Sequence, residues 1–247
     1  MPERKSLDRI SAAQMTLDAL GRGTYLEIGV DTGTSFVPIK ANRKWGVDPG
    51  YTLTRRRLLM YTVLSSLKIR EERVFRMRSD EFFAKKARFL ASYGIDVCLV
   101  DGLHTYNQAL NDVLNALKYL KPQGIILVHD CNPMTELMAR PASGIEELIS
   151  QNIPGWNGAW SGDVWKALVH LRALRNDVEA FVLDCDTGIG VVTKGSPKVS
   201  LSYTEADIDA MDYSVLCSNR KALLGLQPTE YFGTFLLSHL HVADAAG

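Results

Sequence analysis

No apolar run in this sequence approaches the length needed to cross a bilayer. The first twenty residues are interrupted by Glu3, Arg4, Lys5, Asp8, Arg9 and Asp18, and they hold no apolar core of signal-peptide length. An excess of one charge is missing as well. The 28 Lys and Arg balance 28 Asp and Glu, so no global field draws nucleic acid or an anionic membrane. Only four cysteines occur (Cys98, Cys131, Cys185 and Cys217), and no two form a CxxC pair. A reduced, cytoplasmic setting is the expectation. Internal repeats and low-complexity linkers are also absent. The 247 residues suit one large α/β domain with a decorated end.

What is present is organised around residues 95–130. A short apolar run over 95–100 ends at Asp101-Gly102. Leu110, Val113, Leu114, Leu117 and Leu120 then recur at three- and four-residue spacing, the stripe of an amphipathic helix. Lys121-Pro122-Gln123-Gly124 stops that helix, and 125–128 runs apolar again before His129-Asp130. Strand, helix and strand make a βαβ unit, whose parallel strands end on one edge of the sheet. Asp101, His104, His129 and Asp130 therefore converge where open α/β sheets bind ligands.

Elsewhere the pattern predicts helices over 6–20 (N-cap Ser6), 53–67, 81–92 and 163–174, with a short one running into Pro38. Strands are expected over 24–28, 44–47, 74–77, 180–183 and 188–193, the last two able to pair as a hairpin. Residues 131–161, with Trp156 and Trp160, form a long irregular stretch that reads as a substrate lid. The tail reads as helical over 206–211 and 231–240. The predicted fold is α/β: a Rossmann-like, doubly wound, mostly parallel seven-stranded sheet with a terminal antiparallel hairpin and a helical C-terminal tail. Residues 1–194 are expected to form the catalytic domain and 195–247 a helical extension packed on it.

The first turn carries Gly29 and Gly33, four apart, behind Glu27. It lacks the G-x-G-x-x-G spacing of a dinucleotide site. Glu27 and Asp31 near the pocket suit a cationic ligand better than a diphosphate. Asp48, ending the second strand, is placed to accept ribose hydroxyls. Asp80 is placed either to receive an adenine amino group or to cap the helix after it. S-adenosylmethionine meets these demands. An NAD-dependent oxidoreductase is the alternative, disfavoured by the missing third glycine. Two others stay open: a metal-dependent hydrolase using Asp101, His104, His129 and Asp130, and a catalytically inactive cofactor-binding partner subunit.

The ordered set E-x-G-x-x-x-G-x-S, V-D-P, S-D-E-F-F, D-x-x-x-x-D-G-x-H-x-Y, L-K-P-x-G and H-D spans residues 27–130. Together these motifs resemble the class I S-adenosylmethionine-dependent methyltransferases. DGLHTY and VHD resemble the branch called methyltransferase family 24, related to macrocin-type sugar O-methyltransferases. The resemblance implies Glu27, Gly29, Gly33 and Ser35 around the methionine part of the cofactor, Asp48 at the ribose and Ser79 with Asp80 near adenine. It implies Asp101 beside the sulfonium.

A hydroxyl acceptor must lose its proton, so a base or a metal is expected. His104 is the candidate base, with Asp101 orienting it or the acceptor and Asp130 completing the catalytic set. Metal-dependent relatives use an acid after the fourth strand and an acidic or amide pair after the fifth. Here Asp101 and Asp130 fill two of those places while Cys131 stands in the third, with Asn132 one residue further on. A divalent metal such as Mg2+ on Asp101 and Asp130 therefore stays open. Trp160 and Lys166 are the candidate substrate contacts. The Arg55 to Arg57 run reads as a solvated helix face and His239 with His241 as a frayed tail. A small-molecule or glycan acceptor is expected, with no nucleic acid or membrane partner; homo-oligomerisation stays open.

Overall fold

Strands β1 (Thr24–Ile28) and β4 (Ile95–Val100) are buried at every residue in the computed structural model, which describes residues 7–52 and 71–244. Continuous burial is the mark of parallel strands covered on both faces. Ser6, the helix expected over 53–67 and Arg55 to Arg57 lie outside the described residues. The remaining strands are β2 (Arg43–Val47), β3 (Glu71–Phe75), β5 (Leu120–Val128), β6 (Val178–Leu183) and β7 (Ile189–Lys194). They form one seven-stranded sheet in the order β3-β2-β1-β4-β5-β7-β6. The pairs from β3 to β5 are parallel, and β7 runs antiparallel to both β5 and β6. This is a Rossmann-like sheet whose order reverses between β1 and β4 and which ends in a hairpin.

Side chains of each strand alternate between two cores. On one face Leu26, Ile28, Cys98, Val100, Ile126 and Val128 pack against Val113, Leu117, Trp165 and Leu168. Those partners come from α4 (Tyr106–Tyr119) and α6 (Trp165–Leu174). On the other face Tyr25, Val97, Leu99, Ile125 and Leu127 meet Ala13 and Leu17 of α1 (Arg9–Ala19) and Phe232 and Phe235 of α9 (Tyr231–Asp244). Among the described residues, no helix is long and apolar enough to cross a membrane.

Several local expectations differ from the structure. The first helix is capped by Asp8, whose side chain accepts from the Ser11 amide while the Ser11 hydroxyl returns to the Asp8 amide. That reciprocal box starts the helix at Arg9. Residues 121–124 do not separate a helix from a strand, because α4 runs straight into β5. Leu120 pairs with Ile95 and Ile125 with Val97, so the four residues between bulge from the ladder. Pro122, which has no N–H to donate, sits in that bulge. The expected helix over 81–92 is two helices, α2 (Ser79–Lys85) and α3 (Ala87–Tyr93). Residues 34–38 make turns without a helix. The irregular 131–161 stretch contains α5 (Ile145–Ser150), and the tail adds α7 (Glu205–Ala210) and an unexpected α8 (Tyr213–Leu224).

Arg172 of α6 ties this tail to the sheet. It is buried and donates to the carbonyls of Ala180 (2.7 Å), Leu223 (3.0 Å) and Ala222 (3.3 Å). Truncation would leave those acceptors without a donor. Arg172→Ala is expected to lower unfolding free energy by about 2–4 kcal/mol, read from urea midpoints. An unchanged midpoint would show the clamp to be ornamental.

Candidate active site

The carboxyl ends of β1, β2, β4 and β5 open onto a cleft of about 770 Å³. Its floor is the turn after β1. Gly29 sits at φ +90°, and a Cβ there would fall 1.9 Å from the Asp101 carbonyl oxygen. Only glycine lets the turn pass this close to the end of β4. Asp48 pins the same turn: Oδ2 accepts from the amides of Val30 (3.0 Å) and Asp31 (2.9 Å), and Oδ1 from Gly50 (2.6 Å). Glu27 lies beneath the turn rather than on the cleft. Fully buried, it accepts from the hydroxyls of Tyr25 and Ser35. Burial lifts its carboxyl to about 8 despite those two donors. Glu27 therefore shapes the cleft through Ser35, which lines it. Gly33, at φ +83°, turns the chain just below and is not on the cleft wall.

Beyond Asp48 the wall is Ser79. Its neighbour Asp80 is turned toward α4, where its Oδ1 accepts from Asn111 at 2.5 Å. Nor does Asp80 cap α2, whose cap is Arg78 without a side-chain bond. Asp112, on the inward side of α4, reaches the cleft instead, its carboxyl raised by burial to about 6. Asp112 lies between the stripe positions Leu110 and Val113, and the sequence pattern alone gives it no role.

At the β4–β5 end, the four expected residues meet. His129 Nδ1 lies 3.1 Å from Asp101 Oδ1 and 3.0 Å from Asp130 Oδ2. Three partners come from distant sequence. Arg9, the first residue of α1, sets Nε 3.1 Å from Asp101 Oδ2 and Nη1 3.1 Å from Asp186 Oδ2. Asp186 and Thr187 form the β6–β7 turn, and Thr187 donates to Asp130 Oδ1 at 2.9 Å. Asp130, Asp186 and Thr187 all have positive φ (62°, 46° and 59°). Non-glycine residues in that region cost about 1–3 kcal/mol each and gather at functional sites. Burial opposes charge on His129, but its bonds to Asp101, Asp130 and Asp186 prevail and raise it to about 11. Burial likewise works against the Asp101 carboxylate, yet His104, His129 and Arg9 hold it well below the usual range.

His104 is oriented from the other side. Its Nδ1 is 2.8 Å from the Trp160 carbonyl oxygen, which can only accept, so Nδ1 carries the proton. In the neutral ring Nε2 carries the lone pair; once protonated, it faces Asp101 Oδ1 at 3.7 Å. Burial disfavours its charged form, but Asp101, Asp130 and the Trp160 carbonyl together raise its pKa above the ordinary histidine value. Gly162 makes this approach feasible: at φ +57°, a Cβ there would lie 1.8 Å from the His104 carbonyl oxygen. Ser161 donates to Asp130 Oδ1 at 2.7 Å, joining the 131–161 segment to the cluster. The Trp160 ring packs beside His104, 5.2 Å between centroids, with its Nε1 given to Arg140. Lys166 does not reach this cleft. It is buried along a separate cavity, and its Nζ donates to the Asp209 carbonyl at 2.9 Å.

Ligand atoms of Asp101, His104 and Asp130 lie within 4.8 Å of one another, a spread that could surround a divalent ion. Their donors are already committed, however. Asp101 faces His129 and Arg9, and Asp130 holds His129, Ser161 and Thr187. An ion between the two carboxylates would displace the His129 N–H and face a guanidinium. The set as arranged does not fit a bridging metal.

Residues 26–131 match the sequence profile of a family described as a methyltransferase domain. Among solved structures, cofactor-bound Rv0187 from MTB is similar at 12% identity and a TM-score of 0.50, over 77% of this chain and 82% of that one. The O-methyltransferase TomG from Streptomyces achromogenes, involved in tomaymycin synthesis and solved with SAM, is 15% identical with a TM-score of 0.48, over 77% and 82%. Among curated proteins none matches the sequence.

Proposed function

We propose that this protein transfers a methyl group from S-adenosylmethionine to a hydroxyl of a small molecule or sugar. The observation that carries the reading is a histidine with a defined tautomer. His104 presents a lone pair at the β4 end of a cleft whose other end is the glycine turn.

The cleft suits an adenosyl ligand. Gly29 and Ser35 offer a wall free of bulky side chains, Asp48 stands at the end of β2, and Ser79 and Gln108 close the far side. Ser35 would border the amino-acid part, Asp48 the ribose and Ser79 the base. When bound, S-adenosylmethionine supplies a methyl whose bond to the sulfonium breaks as a bond to the acceptor oxygen forms. His104 Nε2 takes the acceptor proton, and the Trp160 carbonyl holds the ring in register through Nδ1. Asp101, kept ionised by His129 and Arg9, stabilises the imidazolium that results. Ser161 and Gly162 keep the 131–161 segment against His104, which limits the water competing for the proton.

Calorimetry with S-adenosylhomocysteine and, separately, with NAD tests the reading. Association with the first and none with the second is expected, together with loss of association in Asp48→Ala. Failure to bind S-adenosylhomocysteine, or a preference for NAD, would overturn it.

A further inference from the structure

We infer that the Arg9–His129 pair occupies the place of a divalent cation between the strand-end carboxylates, so that this site works without a bound metal. The inference concerns the site proposed above for methyl transfer and rests on that reading only where activity is measured.

Its ground is the geometry of one hydrogen. Both neighbours of His129 Nδ1 are carboxylate oxygens, Asp101 Oδ1 at 3.1 Å and Asp130 Oδ2 at 3.0 Å. Neither can donate, so Nδ1 carries a hydrogen whether the ring is neutral or charged. That hydrogen goes to Asp101 Oδ1, with Asp130 Oδ2 at 3.0 Å beside it, the two oxygens a bridging ion would join. The outer oxygen of each carboxylate also faces a neighbour, an ion-pair contact at Asp101 and hydroxyl hydrogen bonds at Asp130. Arg9 Nε stands 3.1 Å from Asp101 Oδ2, and the Ser161 and Thr187 hydroxyls hold Asp130 Oδ1 at 2.7 and 2.9 Å.

Arg9 is itself held in place. Its backbone amide donates to Asp186 Oδ2 at 2.9 Å, its Nη1 meets both Asp186 oxygens, and Asp8 caps its helix. A guanidinium is always charged, so positive charge stands beside Asp101 at every working pH. Arg9 also lines the cleft. The pair thus provides what a metal would provide there, a cation against which an acceptor oxygen can develop negative charge. Cys131 fits the same account. It is buried with its thiol turned to the Val128 carbonyl, so the residue that follows Asp130 supplies no oxygen donor.

Mn2+ binding followed by electron paramagnetic resonance, with no cofactor present, tests this directly. The wild-type protein is expected to leave the free Mn2+ signal unchanged. His129→Ala frees two facing carboxylates and is expected to bind Mn2+ about tenfold or more tightly than wild type. His129→Gln, which keeps a polar side chain in the same space, serves if circular dichroism shows the alanine variant unfolded. A chelator should leave wild-type methyl transfer unchanged. Mn2+ held by the wild type and lost in Asp130→Asn would overturn the inference, as would folded His129 variants with no gain. Activity lost to chelator and restored by Mg2+ would do the same. Absence of any methyl transfer would count against the functional reading alone, because the Mn2+ titration needs no turnover.

Discussion

His104→Ala is expected to lower kcat for methyl transfer by about 10²–10⁴-fold, the usual contribution of a positioned general base. Affinity for S-adenosylhomocysteine should stay within a few-fold of wild type, because the first turn, Asp48 and Ser79 are untouched. The pH profile supplies a second readout. Only the neutral ring can take a proton, and His104 is held above its ordinary value of 6.5 by Asp101, Asp130 and the Trp160 carbonyl. Wild-type kcat/KM should therefore rise with pH through a midpoint above that value. In Asp101→Asn a raising partner is gone, so the midpoint should move to lower pH even as the maximal rate falls. A His104→Ala enzyme with undiminished kcat would remove the base from the mechanism, and a profile flat across this range would do so independently.

Gly29→Ala is expected to abolish cofactor binding and to cost about 3–5 kcal/mol of stability, in the range reserved for backbone strain combined with overpacking. Two costs add. The residue sits at φ +90°, and its new Cβ would lie 1.9 Å from the Asp101 carbonyl oxygen. Because that oxygen belongs to the backbone, no side chain can swing aside. Relief comes only by parting the β1 turn from the β4 end, which moves Asp101 and the loop carrying His104. Gly21→Ala separates the terms: it has φ +72° with nothing within 4 Å of a Cβ, so strain alone should cost about 1 kcal/mol. Equal losses at the two positions, measured by urea unfolding, would discount the contact between the strand ends.

The centre of the fold was legible because its signals are local. The apolar run of β4, the stripe of α4 and the apolar end of β5 follow one another, and a βαβ unit leaves little freedom in where its strand ends point. Asp101, His104, His129 and Asp130 could thus be placed on one edge from sequence. Arg9 and Asp186 could not. They sit 177 residues apart and meet only because α1 packs across the sheet toward the β6–β7 turn. No periodicity encodes a contact of that range. Asp80 illustrates another limit. An acid near a helix start reads equally as cap or ligand, and the side chain turned toward Asn111 instead. The start of α1 was missed for a related reason: serine and aspartate are both good caps, and the reciprocal Asp8–Ser11 bonds decide between them.

The acceptor for the His104 Nδ1 proton is the carbonyl of Trp160, and its near neighbour Ser161 grips Asp130. The ring's tautomer is consequently written by a stretch of chain that borders the cleft rather than by the sheet beneath. A ligand bulky enough to prise residues 160–162 outward takes that carbonyl with it. The proton is then free to settle on either nitrogen, and the lone pair no longer has a defined direction. Occupancy and turnover separate under those conditions: an oversized alcohol can lodge in the cleft and leave unmethylated.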